Sequence, residues 1–491
     1  MSYDAIIIGS GAGGSAAAFQ LAQTGLHVLL LEQGQALPKD DSTLDVDKVV
    51  RQKLFVDKDT WLDKDANRIV PQERSNLGGK TKWYGAALLR FSREEFTADA
   101  DYQYLPWPFG YEELEPYYHI AEQLMGVRTF PIEPNFQKIV TGLESRDAGW
   151  KHQSLPIGLA ADILKYPYEA THFDAFASPR GLKSDAETCL LDRVKHKLNL
   201  EVLTGKKIVA LKSSGQDMRK IAGVSCHDGS HYEADVVLLA AGALHSPRLL
   251  QCYMEDHGLA NSLPCYNQIG RNYKFHLLTA MLMLTPSRQT DMLRKTGVLT
   301  HDQLPHSSVQ PLGWIDGELL APELPTFVPR RLTNMIGQRV YGFFLQTEDG
   351  SHPDNRIAAR TGAHGLPSLD YSARRIPKSF QEHRRFVSLL QRQLLSIGYL
   401  GLAKSIPVVG TAHACGTLVT GNDPASSVVD ANGKVHGMDN LFVVDGSVLP
   451  RSSRVNPALT IYAWALRVAS KLNIGGMSNE STIARQYPIR A

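Results

Sequence analysis

Asp4-Ala-Ile-Ile-Ile-Gly9-Ser-Gly11-Ala12-Gly-Gly14 stands almost at the start of the chain, and its reading decides the fold. Asp4 to Ile8 is a short apolar run of β-branched residues, the pattern of a buried strand. A glycine loop follows at once, and Ala16 to Thr24 is rich in helix formers until Gly25 stops the helix. A second buried-type strand, Leu26 to Leu31, ends at Glu32, so residues 4–32 read as one βαβ unit. Gly9, Gly11 and Gly14 keep the G-x-G-x-x-G spacing. The first glycine allows the tight turn, the second lets backbone approach a pyrophosphate, and the third lets helix and strand pack closely. The loop, Ala12 included, would present free N–H groups and the positive end of the helix dipole to phosphate. Glu32 falls where a ribose-binding acid belongs, and its charge would repel a 2′-phosphate. A purely structural glycine turn would require neither the flanking strand and helix nor the acid.

Size and composition narrow the function from the other side. With 491 residues the chain exceeds one ordinary core, so two joined lobes are expected. Hydrophobic residues make up 43% and charged residues 21%, as in globular proteins generally. Fifty-two Lys and Arg against 50 Asp and Glu leave a formal charge of +2, which argues for small-molecule partners rather than nucleic acid or an anionic membrane surface. Five cysteines without a CxxC pair indicate neither a disulfide framework nor a zinc site, so no metal is expected. No leader-like or membrane-spanning stretch is read, and a cytoplasmic protein is the expectation.

Further along, Gln33 to Arg74 reads as an irregular, polar excursion over the cofactor, followed by a second glycine loop at Gly78-Gly79. Several short strands are expected from Glu201 to Gly242, ending in the apolar run Val236 to Ala241. Between Tyr273 and Ala359, strand-like runs such as Leu277–Leu284 and Val340–Leu345 predict an antiparallel sheet. Pro377 to Leu402 reads as a helix, Leu441–Val444 as a strand, and Thr460 to Leu472 as an amphipathic helix. The glycine fingerprint alone fits FAD or NAD. Its place near the N-terminus, with Asp445-Gly446-Ser447 far downstream, favours FAD.

His413-Ala-Cys-Gly416-Thr417, Asp423-Pro424, Asp430, Leu441-Phe-Val-Val-Asp445-Gly446-Ser447 and Val455-Asn456-Pro457-Ala458-Leu-Thr460 occur in that order. Upstream stand Leu77-Gly78-Gly79 with Gly85, then Trp107-Pro108 through Pro116-Tyr117-Tyr118, then Ala240-Ala-Gly242-Ala-Leu-His-Ser246-Pro247. Together these stretches, spanning residue 4 to about 470, resemble the glucose–methanol–choline (GMC) oxidoreductases. The resemblance implies an α/β protein with an FAD-binding Rossmann-like lobe of GMC type and a second α+β substrate lobe built on an antiparallel sheet. The FAD lobe would comprise residues 1–35, 75–92, 176–270 and 409–491, and the substrate lobe 93–175 and 271–408, with 36–74 covering the cofactor.

By the same resemblance His413 and Asn456, 43 residues apart, would sit at the flavin face. A neutral imidazole suits removal of an alcohol proton as hydride leaves carbon, and an amide can orient the same oxygen. The alternatives are a structural histidine and a turn asparagine before Pro457. Gly78, Gly79, Trp83, Gly85 and Gly242 would border the cofactor, with Asp445 and Gly446 along its pyrophosphate and ribityl chain. The backbone at Pro457 and Ala458 would approach the ring. The helix from about Thr460 would aim its dipole at the flavin, pack the core through Ile461, Ala465 and Val468, or do both. His276 matches a family histidine but follows Phe275 rather than an acid, and is taken as structural or supporting. Some members bind FAD covalently through a histidine where Trp83 stands here, so non-covalent FAD is expected. Trp83 and Tyr84 are candidates for the pocket wall, and Lys80 or Lys82 for contact with a polar substrate, against solvated lysines beside packed aromatics.

Three functions remain open on these residues. The first is FAD-dependent oxidation of an alcohol, polyol or sugar hydroxyl, with oxygen, a quinone or a carrier protein taking the electrons. The second is a carbon–carbon lyase of hydroxynitrile type, in which FAD is structural. The third is an NAD-dependent reductase using only the N-terminal fingerprint.

Overall fold

The computed structural model describes residues 2–215, 217–321, 328–361, 365–410, 412–474 and 477–478, so residues 479–491 of the expected C-terminal segment lie outside it. The opening sequence forms strand β1 (Ser2–Ile8), helix α1 (Ala12–Leu21) and strand β2 (Val28–Leu31), with β1 and β2 parallel and paired from Ala5↔Val28 to Ile8↔Leu31. The helix begins at the glycine loop itself, earlier than its alanine run predicts, because small residues suffice where it is buried almost throughout. The sheet around this unit has seven strands. Leu200–Leu203, β2, β1, His231–Leu239 and Leu441–Val443 run parallel, and Ile221–Cys226 and Ile208–Ser213 add an antiparallel edge.

Because the central strands are parallel, their carboxyl ends meet at one edge, the place where open α/β sheets bind ligands. Gly9 follows β1, Glu32 follows β2, Gly242 lies three residues beyond Leu239, and Asp445 two beyond Val443. Close packing ties these ends together. A Cβ on Gly13 would lie 1.9 Å from Val444 O, and one on Gly14 1.9 Å from Gly9 O.

A second sheet has the order Leu400–Ser405, Leu277–Leu284, Val340–Thr347, Leu304–Trp314, Gly297–His301, Trp150–Ser154, all antiparallel. Period-two alternation divides its faces. Met281, Met283, Val309, Phe343 and Leu345 form one core with Phe386, Leu390 and Leu394 of the helix Pro377–Ser396. The opposite face carries Ala280, Phe344 and Gln310, which occupy one rung across three strands.

Three expectations need correction. The helix from Pro377 ends at Ser396 rather than Leu402, because Gly398 adopts φ +90° and turns the chain into the edge strand Leu400–Ser405. The excursion 36–74 is not wholly irregular: Trp61–Asp63 and Arg68–Ile69 pair with each other, and the first lies parallel to Leu366–Asp370. The last long helix, Ala458–Lys471, is not amphipathic against water, since only Ala458, Ile461 and Lys471 escape burial. Its Trp464 donates to Val443 O at 3.0 Å and stacks on Phe109, while Arg467 lies over the Phe109 ring and pairs with Glu113.

Trp464→Ala should therefore cost about 3–5 kcal/mol, read as a lowered melting temperature.

Candidate functional site

A cavity of about 880 Å³ runs between the carboxyl edge of the first sheet and the Ala280–Phe344 face of the second. Gly9, Gly11, Ala12, Glu32, Gly79, Trp83, Gly85, Gly242, His413, Asp445, Gly446, Asn456, Pro457 and Ala458 all line it, whereas Gly14 and Gly78 lie behind its wall. Gly78 instead turns the chain with φ +83° and donates its N–H to Ser10 Oγ, joining the two glycine loops. Ala458 and Ile461, two of the three helix residues not buried by protein, face the cavity, so Ile461 lies on its wall.

The cavity edge has the form of a dinucleotide cradle. A Cβ built on Gly11 or Gly242 would meet no protein atom within 4 Å, although each glycine stands at the start of a helix. The N-terminus of α1 has no side-chain cap and no acid in its first turn, leaving N–H groups and dipole for an anion. The acids of the cradle are held by the chain itself. Glu32 accepts from Ser10 N, Ser10 Oγ and Gly34 N, and Asp445 from Gly242 N, Ser246 Oγ and Ser447 N at 2.8, 2.5 and 2.9 Å. Burial raises both carboxyl pKa values, and these donors oppose the rise. Asp445 thus clasps the start of one helix to the strand end that reaches the cavity.

Trp83 donates its indole N–H to Asn76 Oδ1, packs on Phe55 and carries Arg74 over its ring at 4.2 Å. Tyr84 lines the cavity too. Lys80 reaches the wall and pairs with Glu73 at 2.6 Å. Lys82 is neither at the cavity nor solvated, being buried between Asp185 and Glu187 at 2.9 and 2.6 Å.

The reactive end grows from one backbone contact. Lys274 and Cys415 form an isolated antiparallel bridge, Lys274 N donating to Cys415 O and Cys415 N to Lys274 O. Two residues onward on one strand and two back on the other, that register sets His276 opposite His413, and their Nδ1 atoms are 2.7 Å apart. His276 Nε2 lies 2.7 Å from Ser453 O, which can only accept, so that nitrogen carries the proton. Burial lowers the His276 pKa to about 4, which keeps the ring neutral and makes its Nδ1 an acceptor. The shared proton therefore belongs to His413 Nδ1. His413 Nε2 is left with its lone pair and accepts from Asn456 Nδ2 at 3.2 Å. Asn456 Oδ1 in turn accepts from Gln310 Nε2 at 2.5 Å, fixing the amide orientation. One carbonyl, which cannot be reoriented, sets the direction of every hydrogen bond in the series.

Two links of this series, His413 (φ +64°) and Ser453 (φ +69°), hold left-handed backbone without being glycine, at a cost of about 1–3 kcal/mol each. Neighbouring contacts impose the Ser453 turn: Glu95 Oε1 accepts from Ser453 Oγ and Arg454 N, and Ser308 Oγ and Gln346 Nε2 both donate to Arg454 O. The His413 pKa lies well below its ordinary 6.5, chiefly through burial and then through His276, Lys295 and Lys80.

Sequence reasoning did not assign Gln310, Ser453, Glu95 or the second-sheet wall of Ala280, Leu282, Leu312, Ile315 and Phe344. For the strand residues among them the only signal was alternation, which tells faces apart without saying which one meets a ligand, and Ser453 and Glu95, outside any strand, carried none. Among the described residues no group of three or more His, Cys, Asp or Glu could hold a metal ion, and no helix is long and apolar enough to cross a membrane.

Residues 3–278 and 402–465 match two family profiles, each described as GMC oxidoreductase. The chain is 28% identical to paromamine 6′-oxidase of Streptomyces fradiae over 95% of its own length and 90% of that protein. It is 23% identical to the fructose dehydrogenase large subunit of Gluconobacter japonicus over 96% and 98%. The crystal structure of pyridoxine 4-oxidase from Mesorbium loti has the same fold, with a TM-score of 0.70 at 19% identity over 95% of this chain and 98% of that one.

Gly11→Val is expected to yield a folded protein without visible flavin absorbance, since the added side chain occupies cradle and not protein. Gly13→Ala, whose Cβ meets Val444 O, should instead lower stability itself, seen as a reduced melting temperature or insoluble protein.

Proposed function

This chain belongs to the GMC oxidoreductase family, and from that premise we propose that it binds FAD and oxidises the CH–OH of a sugar, polyol or similar small alcohol to a carbonyl, with His413 taking the hydroxyl proton and Asn456 orienting the oxygen. The observation that carries the reading is the lone pair of His413 Nε2, held at the cavity wall by the hydrogen-bond series that starts at Ser453 O. FAD, held non-covalently by the loops at Gly9–Gly14, Gly78–Gly79 and Asp445–Gly446, would supply the hydride acceptor that the oxidation requires.

The hydroxyl proton of the substrate passes to His413 Nε2 as the C–H bond gives up its electron pair. The Nδ1–H of His413 remains on the His276 acceptor, so the imidazolium formed is steadied by a neutral neighbour with no proton of its own at that atom. Asn456 Nδ2, whose amide is fixed by Gln310 and which donates to His413 Nε2, would turn that hydrogen to the substrate oxygen once the oxygen sits beside the base, which holds the reacting carbon in place. Pro457, Ala458 and Ile461 close the wall beside it and help to keep water out. Relatives named for oxidation of paromamine and for dehydrogenation of fructose agree with a hydroxylated small molecule as substrate.

Anaerobic addition of alcohols and sugars to the flavin-loaded enzyme should bleach the flavin, with recovery in air marking an oxidase and persistence a dehydrogenase. A flavin that stays oxidised with every alcohol while a cyanohydrin is cleaved would overturn the reading in favour of a lyase. His413→Ala should slow bleaching by about 100- to 10,000-fold with flavin content unchanged.

The pH profile is a separate check. The base must be neutral, and its pKa is depressed, so the bleaching rate should stay level as pH falls through 6.5 and decline only well below it.

A further inference from the structure

On the second-sheet side of the cavity three charged side chains line the wall, Asp174, Arg294 and Lys295. Asp174 and Lys295 cancel each other: their charged atoms are 2.7 Å apart, and the pair packs over Gly85, where a Cβ would come within 2.7 Å of both groups. Arg294 has no such counterpart. It is 5% exposed, and its Nε and Nη2 are buried without a hydrogen-bond partner. The acids whose charge reaches it are committed elsewhere, Asp316 to His172 at 2.6 Å and to Leu319 N, Asp174 to Lys295. Burial lowers the guanidinium pKa, yet arginine remains a cation. An unpaired buried charge is costly, and a fold carries one most readily where a ligand completes it.

The rest of this wall is apolar, comprising Ala280, Leu282, Leu312, Ile315 and Phe344. It belongs to the reacting end of the cavity rather than to the phosphate cradle, because Phe344 and Ala280 share a rung with Gln310, which touches Asn456. Lys295, next to Arg294 in sequence, also acts on His413 through its charge. A cation left without a partner in a wall whose other charges, Asp174 and Lys295, are paired with each other is poorly suited to amino alcohols and well suited to an anion.

We propose that Arg294 anchors a carboxylate on the substrate, so that the preferred substrates are hydroxy acids such as sugar acids. This names the substrate class of the oxidation proposed above and rests on that reading. Such an anion would also offset the cationic surroundings of His413 at the moment it takes up a proton.

The test compares glycerate with glycerol, and gluconate with sorbitol, on the flavin-loaded enzyme at constant ionic strength. Binding is followed by the flavin difference spectrum and reaction by anaerobic bleaching. Wild type should bind each acid about 10- to 100-fold more tightly than its neutral counterpart. Arg294→Gln should lose that preference while its affinity for the neutral compound is retained, and Arg294→Lys should keep part of it. Equal binding of acids and neutral polyols by wild type, or an undiminished preference in a flavin-loaded Arg294→Gln, would overturn the proposal. Bleaching by neutral alcohols without any preference for acids would overturn it and leave the oxidation reading standing. Tight, Arg294-dependent binding of acids with no bleaching by any alcohol would support the anion site and sink the oxidation.

Discussion

Two imidazoles sharing one proton across 2.7 Å are the constraint on which the site depends. A pair of neutral rings can meet this way only if one offers a hydrogen and the other a lone pair, and the Ser453 carbonyl behind His276 decides which is which. That decision passes outward through His413 and Asn456 to Gln310. It needs three distant segments in register: the start of the second sheet at His276, the C-terminal segment at His413, and the turn at Ser453. The Lys274–Cys415 bridge supplies the first alignment, and Glu95, Ser308 and Gln346 hold the turn. Strained backbone at His413 and Ser453 is tolerable because so many contacts fix it from outside.

The cofactor end follows a different logic, that of parallel strands. Loops that must approach a pyrophosphate cannot also fill space with side chains, so their order comes from buried carboxylates that bind backbone N–H groups across loops. Glu32 ties strand β2 to the first glycine loop, and Asp445 ties the last strand to the helix at Gly242. Both acids sit in surroundings that oppose their charge, and both are provided with several donors. The first end of the cavity is thus held by charge against backbone, the second by a relay of neutral groups.

Much of this was legible in the chain and some was not, for physical reasons. The βαβ unit is written in local pattern, and β1, α1 and β2 appear where glycine spacing and apolar runs place them, with boundaries shifted by a few residues. The antiparallel second sheet is legible from alternation. The strand pair Trp61–Asp63 and Arg68–Ile69 was not, since strands of three and two residues carry too short a pattern to read and are completed by Leu366–Asp370 beside them. Similarly, the helix from Pro377 continues in propensity past Ser396 and is ended by the backbone of Gly398. At the site, His413 and Asn456 stand out through family motifs, whereas His276 was assigned only a supporting part, and Gln310 and Arg294 carry no local mark. Their meaning comes from what lies across the cavity, which one-dimensional spacing cannot record.

Gln310 shares its rung with Phe344 and Ala280, and that arrangement bears on how such an enzyme can change its diet over evolutionary time. The sheet that walls the cavity also aims the amide beside His413, so a register slip on this face would disturb the cavity wall and the hydrogen-bond series together. Freedom to diversify is confined to the strand ends and adjoining loop around Leu312, Ile315 and Arg294, which border the cavity without touching the relay. Lineages sharing this scaffold would be expected to accumulate their differences there, and to keep the middle of the sheet nearly silent.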